Sequence, residues 1–326
     1  MSADFYLFDV DQGQAAALRL PNGRWCVFDF GANTSFSPLA WLRGYEQRRR
    51  AASPTVGDVL GPPFRLLYAT ASHFHADHLV DAGWLYKNPP EFINVPAFDD
   101  AYLRDALDSS SDQGRQTVAD FARWLRQEVK PGTSSPDFAG VSIRELALPV
   151  ATARQLGGSS NSKVNNASIV TRLDYVERSI LLCGDVEEAA WEAALSTQEW
   201  RSLVSSVDIL VAPHHGHKSG LSRALMGLAR PTLVLVSVAA YDPNVDPGYS
   251  DQQIAGLWDG STFRRRLTTR DVGHILVQVE PPATGAGRVT VLTAKGTRGQ
   301  LGPSHAESMQ AAVRMLMAMS SQGNRQ

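Results

Sequence analysis

The stretch that decides the fold reads Ser72-His73-Phe74-His75-Ala76-Asp77-His78. It directly follows residues 64–70, a nearly continuous apolar run that is typical of a strand buried on both faces. Alternate residues of an extended segment share a face, so His73 and His75 can address one ion. If the chain then turns into a helix, Asp77 and His78 can address a second point nearby. Imidazole and carboxylate together suit Zn²⁺, Mn²⁺ or Fe, and the motif therefore predicts a metal site.

A second histidine cluster, Pro213-His214-His215-Gly216-His217, follows the strand-like run 207–212. Six of the eight histidines of the chain lie in these two clusters. Both clusters come where a predicted strand ends and a loop begins, which is where α/β folds gather ligands. Either His214 or His215 is expected to be a ligand. The other, or His217, could protonate a leaving group, although His217 is equally well interpreted as a solvent-facing loop residue.

A carboxylate that could lie between two ions is Asp185, at the end of Ile180-Leu181-Leu182-Cys183-Gly184-Asp185. An apolar strand again ends in a glycine followed by an acid, which presents the carboxylate at the carboxyl edge of the sheet. The alternative is that Asp185 caps the helix predicted over 186–195, a common task for aspartate. One residue can do both.

Composition limits the classes of protein that the chain can represent. The 326 residues include 31 Lys+Arg and 33 Asp+Glu, which gives a formal charge of −2. This charge argues against a protein that coats nucleic acid. It does not argue against an enzyme that binds one or two phosphates. No apolar run approaches the ~20 residues that a membrane helix needs. Cys26 and Cys183 lie in apolar stretches and are expected to be buried thiols. We expect a cytoplasmic protein.

Strand and helix patterns alternate along the chain and predict α/β layers. A helical insertion with a loop is expected near 99–137, and a C-terminal helix over 304–319 with an apolar stripe is expected to dock on the core. The predicted strands are Phe5–Val10, Ala15–Leu20, Trp25–Phe30, Phe64–Thr70, Phe92–Val95, Val141–Leu148, Ala167–Tyr175, Ser179–Cys183, Val207–Ala212, Thr232–Ser237, His274–Val279 and Arg288–Leu292. Further helices are predicted over 37–50, 186–195 and 218–229.

The combination resembles the metallo-β-lactamase superfamily, and within it the hydrolase domain of competence-type DNA-internalisation proteins and their soluble relatives, including phosphorylcholine esterases. The resemblance implies a four-layer αβ/βα sandwich with metals at the sheet edge, formed by residues 1–326 as one domain. The segments that carry it are Asp9–Gln14, Val27–Gly31, Ser72–His78, Asn165–Val170, Leu182–Asp185, Pro213–Gly216 and Thr268–Gly273.

Carried over residue by residue, the resemblance implies two metal sites that share one aspartate. The first site would use His73, His75 and Asp185. The second would use Asp77, His78, Asp185 and one of His214 or His215. Other branches of the superfamily supply a further histidine between the first loop and the bridging aspartate, but this chain has none between residues 78 and 214. A second departure is Asp246, in a segment where the competence-type branch commonly shows a His-Pro pair.

The implied activity is hydrolysis, most readily of phosphodiester bonds, by a hydroxide bridging two divalent ions. Zinc is the first expectation, with manganese or iron as alternatives. The partner would be a nucleic acid or a small phosphodiester. The residues expected to act in catalysis are Asp77, His215 and His217, and those expected to contact substrate phosphate are Lys163, Asn166 and Ser219, each of which could instead serve surface or turn structure. The runs Arg48–Arg50 and Arg264–Arg266 could guide a nucleic-acid backbone or be solvated faces.

Three other functions remain open at the level of sequence. One is hydrolysis of a small ester or a phosphorylcholine-type substrate. Another is a metal-binding regulatory module without turnover, against which the full ligand set argues. The third is redox chemistry at a di-iron centre, which a visible absorption band would reveal.

Overall fold

The computed structural model describes residues 1–52, 64, 66–127, 135–240 and 242–301. Strands β1 to β16 are, in chain order, Ala3–Leu7, Ala15–Arg19, Trp25–Phe30, Leu66–Thr70, Phe92–Asn94, Ser142–Leu146, Val170–Tyr175, Arg178–Leu182, Ile209–Val211, Leu233–Val236, Leu257–Trp258, Phe263–Arg264, Arg266–Thr268, Ile275–Glu280, Arg288–Thr293 and Arg298–Leu301. Helices α1 to α9 are Pro38–Ala52, Asp100–Asp108, Asp112–Gln127, Val150–Leu156, Ser160–Asn165, Glu188–Ala194, Gln198–Val204, Arg223–Ala229 and Thr269–Val272. Short 3₁₀ helices span Ala76–His78, Ala82–Trp84, Pro213–Gly216, Lys218–Gly220 and Pro247–Ser250.

The described strands form two mixed sheets. The first has ten strands in the order β12-β11-β16-β15-β14-β1-β2-β3-β4-β5, and the second has six in the order β13-β10-β9-β8-β7-β6. Strands β3, β4 and β5 run parallel in the first sheet, as do β13, β10, β9 and β8 in the second. The parallel strands β9 and β10 are buried at every position, as their uninterrupted apolar sequences predict.

The two sheets pack face to face over a shared apolar core. Phe5 and Leu18 of the first sheet belong to the same buried cluster as Leu182, Val211 and Leu235 of the second. Burial of such side chains is the dominant favourable contribution to the free energy of folding, because it removes apolar surface from water. The inner faces of the sheets are thereby fixed relative to each other.

Helices cover both outer faces. On the first sheet, Trp25 packs in a cluster with Tyr102 of α2 and Phe121 of α3. On the second sheet, Leu210 packs in a cluster with Trp191 of α6. The order of layers is therefore helix, sheet, sheet, helix, and the predicted α/β four-layer sandwich is confirmed. No helix in the described part of the chain is long and apolar enough to cross a membrane.

A carboxylate of β6 ties the two sheets together. Glu145 accepts hydrogen bonds from Tyr68 Oη at 2.5 Å, Thr70 Oγ1 at 2.7 Å and Asn94 Nδ2 at 2.6 Å, all from the first sheet. It also accepts one from Thr171 Oγ1 of the second sheet at 2.9 Å. Glu145 thus links strands β4 and β5 to β6 and β7.

Several sequence predictions differ from the structure. The first strand ends at Leu7 rather than Val10, because residues 9–13 form a turn in which Asp11 and Gly13 have φ of 60° and 106°. The sequence does not predict helices α4, α5, α7 and α9 or the short strands β11, β12, β13 and β16. Cys26 and Cys183 are buried free thiols, as expected. The predicted helix 304–319 and residues 128–134 of the predicted insertion lie outside the described residues.

Candidate metal centre

The histidine loops meet at one edge of the sandwich, where strands from both sheets end. The loop after β4 carries Ser72–His78, and its Ser72 carbonyl accepts a hydrogen bond from Ile169 N at 2.8 Å. The loops after β8 and β9 carry Asp185 and His215, and the Gly184 carbonyl accepts a hydrogen bond from His214 N at 3.0 Å. The first bond fastens the Ser72–His78 loop to the residue before β7, and the second fastens the loops of Asp185 and His215 to each other.

The turn that carries the second histidine cluster has an unusual backbone. His214, His215 and Gly216 have φ of 50°, 53° and 74°, all in the left-handed region. This conformation is costly for residues with a Cβ, and such residues are enriched at functional sites. Its effect here is to send the two histidine side chains to different neighbours, His215 to His78 and His214 to Ser219.

Five side chains point their ligand atoms at a common region. His78 Nε2 lies 3.2 Å from His215 Nε2 and 3.5 Å from Asp185 Oδ1. His215 Nε2 lies 3.4 Å from Asp185 Oδ2 and 3.6 Å from Asp77 Oδ2. On the other side, His73 Nε2 lies 3.9 Å from Asp185 Oδ2. The ligand atoms form two groups, His73 with His78 and Asp185, and Asp77 with His78 and His215, each within 4.8 Å.

His75 completes the first side of the cluster. Its Nδ1 lies 3.0 Å from His73 Nε2, and the two rings are nearly perpendicular. Its Nε2 is buried and has no hydrogen-bond partner within the described chain, and the same holds for Asp185 Oδ1. A buried polar atom without a partner costs about 1–3 kcal/mol, and binding a cation is a way to recover that cost. The residues present therefore fit a metal ion.

Outer partners fix the orientation of the central rings. His78 Nδ1 lies 2.9 Å from Asp29 Oδ2, and His215 Nδ1 lies 3.1 Å from the Ser237 carbonyl oxygen. Because both oxygens only accept, each Nδ1 carries the proton in the neutral ring and each Nε2 presents a lone pair to the cluster. Two lone pairs facing each other at 3.2 Å require a positive charge, either a proton or a metal ion.

Asp29 is the functional residue that sequence reasoning missed. Besides His78, its carboxylate accepts hydrogen bonds from Ser72 N at 2.6 Å, Ser72 Oγ at 2.8 Å and Gln14 Nε2 at 3.0 Å. The available signal was an acidic residue inside the apolar strand β3, where a buried charge needs partners. Asp29 therefore holds both the His78 ring and the start of the histidine loop.

Burial and charge divide the histidines into two pairs. Burial lowers the pKa of His75 to about 4 and that of His73 well below the usual value. Burial acts in the same direction on His215 and His78, but nearby carboxylates outweigh it. Asp185 is the largest of these influences, and the pKa of His215 is raised to about 10 and that of His78 well above its usual range. In the ion-free protein, protons on the second pair supply the positive charge that a metal ion would replace.

The carboxylates are ionised in this environment. Burial alone would raise the pKa of Asp185, but the imidazoles of His215 and His78 hold it well below the usual aspartate value. The pKa of Asp77 is also lowered, because His78 and His215 more than offset burial. The site thus presents anionic oxygens and imidazole nitrogens together, the donor set of zinc, manganese and iron sites.

The remaining candidate residues of the second loop lie beside the cluster. His214 Nδ1 is 2.8 Å from Ser219 Oγ and 3.9 Å from Glu187 Oε1, and His214 belongs to neither ligand group. Ser219 Oγ also lies 2.9 Å from Nδ1 of His217, which is exposed. The structure thus brings His215, rather than His214, to Asp185.

Two candidate phosphate contacts also make contacts within the protein. Lys163 Nζ lies 3.6 Å from Asp105 Oδ1, and Asn166 Oδ1 accepts a hydrogen bond from Glu187 N at 3.2 Å. The run 264–266 is similarly engaged: its three guanidinium groups bond to the Asp259 carboxylate and to the carbonyls of residues 254 and 246.

Comparisons with known proteins gave partial matches. No family model matches the chain. A segment of 119 residues is 30% identical to the uncharacterised protein YcaI of Escherichia coli (strain K12), covering 36% of this chain and 15% of that protein. A segment of 86 residues is 31% identical to Recombination protein 2 of Haemophilus influenzae, covering 26% of this chain and 10% of that protein. The chain therefore matches only a small part of the length of either relative.

Solved structures similar to the chain include metallo-β-lactamase fold proteins. YhfI from Bacillus subtilis, described as having that fold, gives a TM-score of 0.39 at 11% identity over 81% of this chain and 95% of its own. A diphosphatase from the PhnP family gives 0.42 at 9% identity over 85% and 98%. The four layers that the resemblance implied are those formed by the two sheets and their covering helices.

Proposed function

We propose that the protein is a dinuclear metal-dependent hydrolase that cleaves phosphodiester bonds. The observation that carries the proposal is the pair of ligand groups that share His78, with Asp185 of the first group 3.4 Å from His215 of the second and with buried ligand atoms left without hydrogen-bond partners. One ion would be held by His73, His75 and Asp185. The second would be held by a group consisting of Asp77, His78, Asp185 and His215.

When bound, two divalent ions, zinc first or else manganese or iron, supply a water of lowered pKa and stabilise negative charge on the attacked phosphate. The chain's own contribution is orientation. Asp29 and the Ser237 carbonyl aim the lone pairs of His78 and His215 inward. Asp77, whose side chain is 35% exposed, is the ligand nearest solvent, so this side is where substrate would enter.

Proton delivery to the leaving group is assigned to the histidines beside the cluster. Ser219 Oγ lies between the Nδ1 atoms of His214 and His217, at 2.8 and 2.9 Å. His217 Nδ1 accepts a hydrogen bond from Ser219 N at 3.2 Å, so the neutral ring carries its proton on Nε2, and the exposed ring that Ser219 orients could protonate a leaving group from that atom. His217 and Ser219 therefore act on the substrate side, while His215 acts as a ligand.

Two substrate classes fit this site. The resemblance to the competence-type branch and the match to a segment of Recombination protein 2 support a nucleic acid. A small phosphodiester is favoured by the net charge of −2 and by the guanidinium groups of residues 264–266, which hydrogen-bond within the protein. A long polyanion is bound through many Lys and Arg side chains that contact its phosphates.

Activity screening tests the proposal. The protein, loaded with Mn²⁺ or Zn²⁺, is assayed with bis-p-nitrophenyl phosphate, single-stranded DNA and a lactam. Asp185→Ala is the test variant, and Asp174→Ala, a half-buried carboxylate of β7 paired with Arg172 at 2.8 Å, is the control. Turnover of the diester or DNA that is lost in Asp185→Ala alone would support the proposal. Two bound metals without turnover of any substrate would replace it with a metal-binding module.

A further inference from the structure

The side chain of Asn165, at the end of α5, has an orientation that its neighbour decides. Its Nδ2 donates a hydrogen bond to Glu187 Oε1 at 2.9 Å. Because a carboxylate only accepts, the amide nitrogen must face Glu187 and the amide oxygen must point the other way. Asn165 is completely buried, and its Oδ1 has no hydrogen-bond partner in the described parts of the chain.

Hydrogen bonds through Ser168 connect Asn165 to the first side of the cluster. Its carbonyl accepts a hydrogen bond from Ser168 N at 3.0 Å. The Ser168 hydroxyl lies 3.2 Å from His73 Nδ1 and accepts a hydrogen bond from Asp185 N at 3.1 Å. Glu187, the partner of the amide nitrogen, follows Asp185 by two residues. Asn165 is thus tied from both ends to the elements that position His73 and Asp185.

Unsatisfied atoms concentrate in this part of the molecule. Among the described residues, a few buried side-chain nitrogen and oxygen atoms lack a hydrogen-bond partner. Three of them are His75 Nε2, Asp185 Oδ1 and Asn165 Oδ1. Buried polar groups are satisfied almost everywhere in folded proteins, so three exceptions on connected elements indicate a shared ligand rather than three separate defects.

We propose that the amide oxygen of Asn165 is a further ligand atom at the His73–His75–Asp185 position and that it biases this position towards Mn²⁺ over Zn²⁺. The inference rests on the metal centre of the proposed function. The chain has no histidine between residues 78 and 214 that could supply another imidazole from this stretch. Imidazole nitrogen suits zinc, whereas carbonyl and carboxylate oxygens suit manganese, so an amide oxygen makes the donor set harder.

Direct metal binding to purified ion-free protein tests the proposal without measuring turnover. Asn165→Leu removes the oxygen at similar volume, and Asn165→His supplies a nitrogen donor. Glu187→Leu is the companion variant, because it removes the acceptor that orients the Asn165 amide but leaves the Asn165 oxygen in the side chain. Stoichiometry is measured by elemental analysis, the affinities for Mn²⁺ and Zn²⁺ by competition with a chelator, and folding by circular dichroism.

We expect Asn165→Leu to lose one bound Mn²⁺ or to bind it about 10- to 100-fold more weakly, with a smaller change in Glu187→Leu. Asn165→His should shift the ratio of Zn²⁺ to Mn²⁺ affinity towards zinc by about tenfold or more. Wild-type affinities in a folded Asn165→Leu protein would overturn the proposal. If that variant does not fold, an unchanged metal ratio in Asn165→His overturns it. Wild-type protein that binds both ions but hydrolyses nothing would refute the hydrolase alone.

Discussion

Replacing Asp29 by asparagine should weaken metal binding while leaving the fold in place. Asparagine has the same shape and tolerates the left-handed backbone of this position, where φ is 58°. If its oxygen keeps the bond to Ser72 N, its NH₂ group replaces the oxygen that faces His78 Nδ1 at 2.9 Å. Two N–H groups would then confront each other.

Removing that conflict changes which nitrogen of His78 can bind a metal ion. His78 must shift its proton from Nδ1 to Nε2, and the lone pair that faces His215 and Asp185 is lost. Changes to such outer partners reduce metal affinity about 10- to 100-fold, which corresponds to about 1.4–2.8 kcal/mol. The NH₂ of Gln14 also loses its acceptor, which adds about 1–3 kcal/mol to the loss of folding stability.

The assay is a chelator-competition titration of Zn²⁺ and Mn²⁺ into ion-free protein, with urea unfolding measured in parallel. Asp174→Asn is the control, since that carboxylate pairs with Arg144 and Arg172 on β6 and β7 rather than with a ligand. We expect weaker binding only in Asp29→Asn. Two ions bound with wild-type affinity by a folded Asp29→Asn protein would refute the assignment of Asp29 as the residue that orients His78.

Three further outcomes follow from the same structure. Because the pKa of His215 is raised to about 10 in the ion-free protein, a metal ion must displace a proton when it binds. Between about pH 6 and pH 8, metal affinity should therefore rise about tenfold per pH unit for each proton released. Calorimetric titrations in buffers of different ionisation enthalpy measure the number of protons released. Glu145→Ala leaves hydrogen-bond donors of two sheets unpaired and should lower the free energy of unfolding by about 3–5 kcal/mol. The control Glu280→Ala, at an exposed ion pair, should lower it by about 0–1 kcal/mol. Equal decreases in the two variants, measured by urea unfolding, would contradict the bridging role of Glu145. Removing the metal ions should lower the Tm of the wild-type protein, because only the folded site binds ions. It should leave the Tm of Asp185→Ala nearly unchanged. Calorimetry of the metal-loaded and metal-free proteins measures both values.

The features of the fold and of the candidate site that could be predicted from sequence are local. Apolar runs ending in Ser72–His78, in Gly184-Asp185 and in Pro213–His217 place ligands at strand ends, and strand ends gather at sheet edges. Helices α5 and α7 also carried local signals, since the hydroxyls of Ser159 and Thr197 cap them, but six- and seven-residue helices are too short for periodicity to mark.

The parts that sequence could not predict depend on distant contacts. The choice of His215 over His214 follows from a left-handed backbone at both residues, which no side chain in the segment requires. The role of Asp29 depends on a contact across 49 positions with His78, and the orientation of Asn165 on one across 22 positions with Glu187. Pairing of neighbouring strands, β3 with β4 and β7 with β8, brings these partners together.

The most direct measurement is an anomalous difference map from crystals of the metal-loaded protein. We expect two peaks, one contacting His73, His75 and Asp185 and the other contacting Asp77, His78 and His215. Protein shown by elemental analysis to hold metal, but with no peak beside Asp185, would contradict the assignment of this cluster as a dinuclear centre.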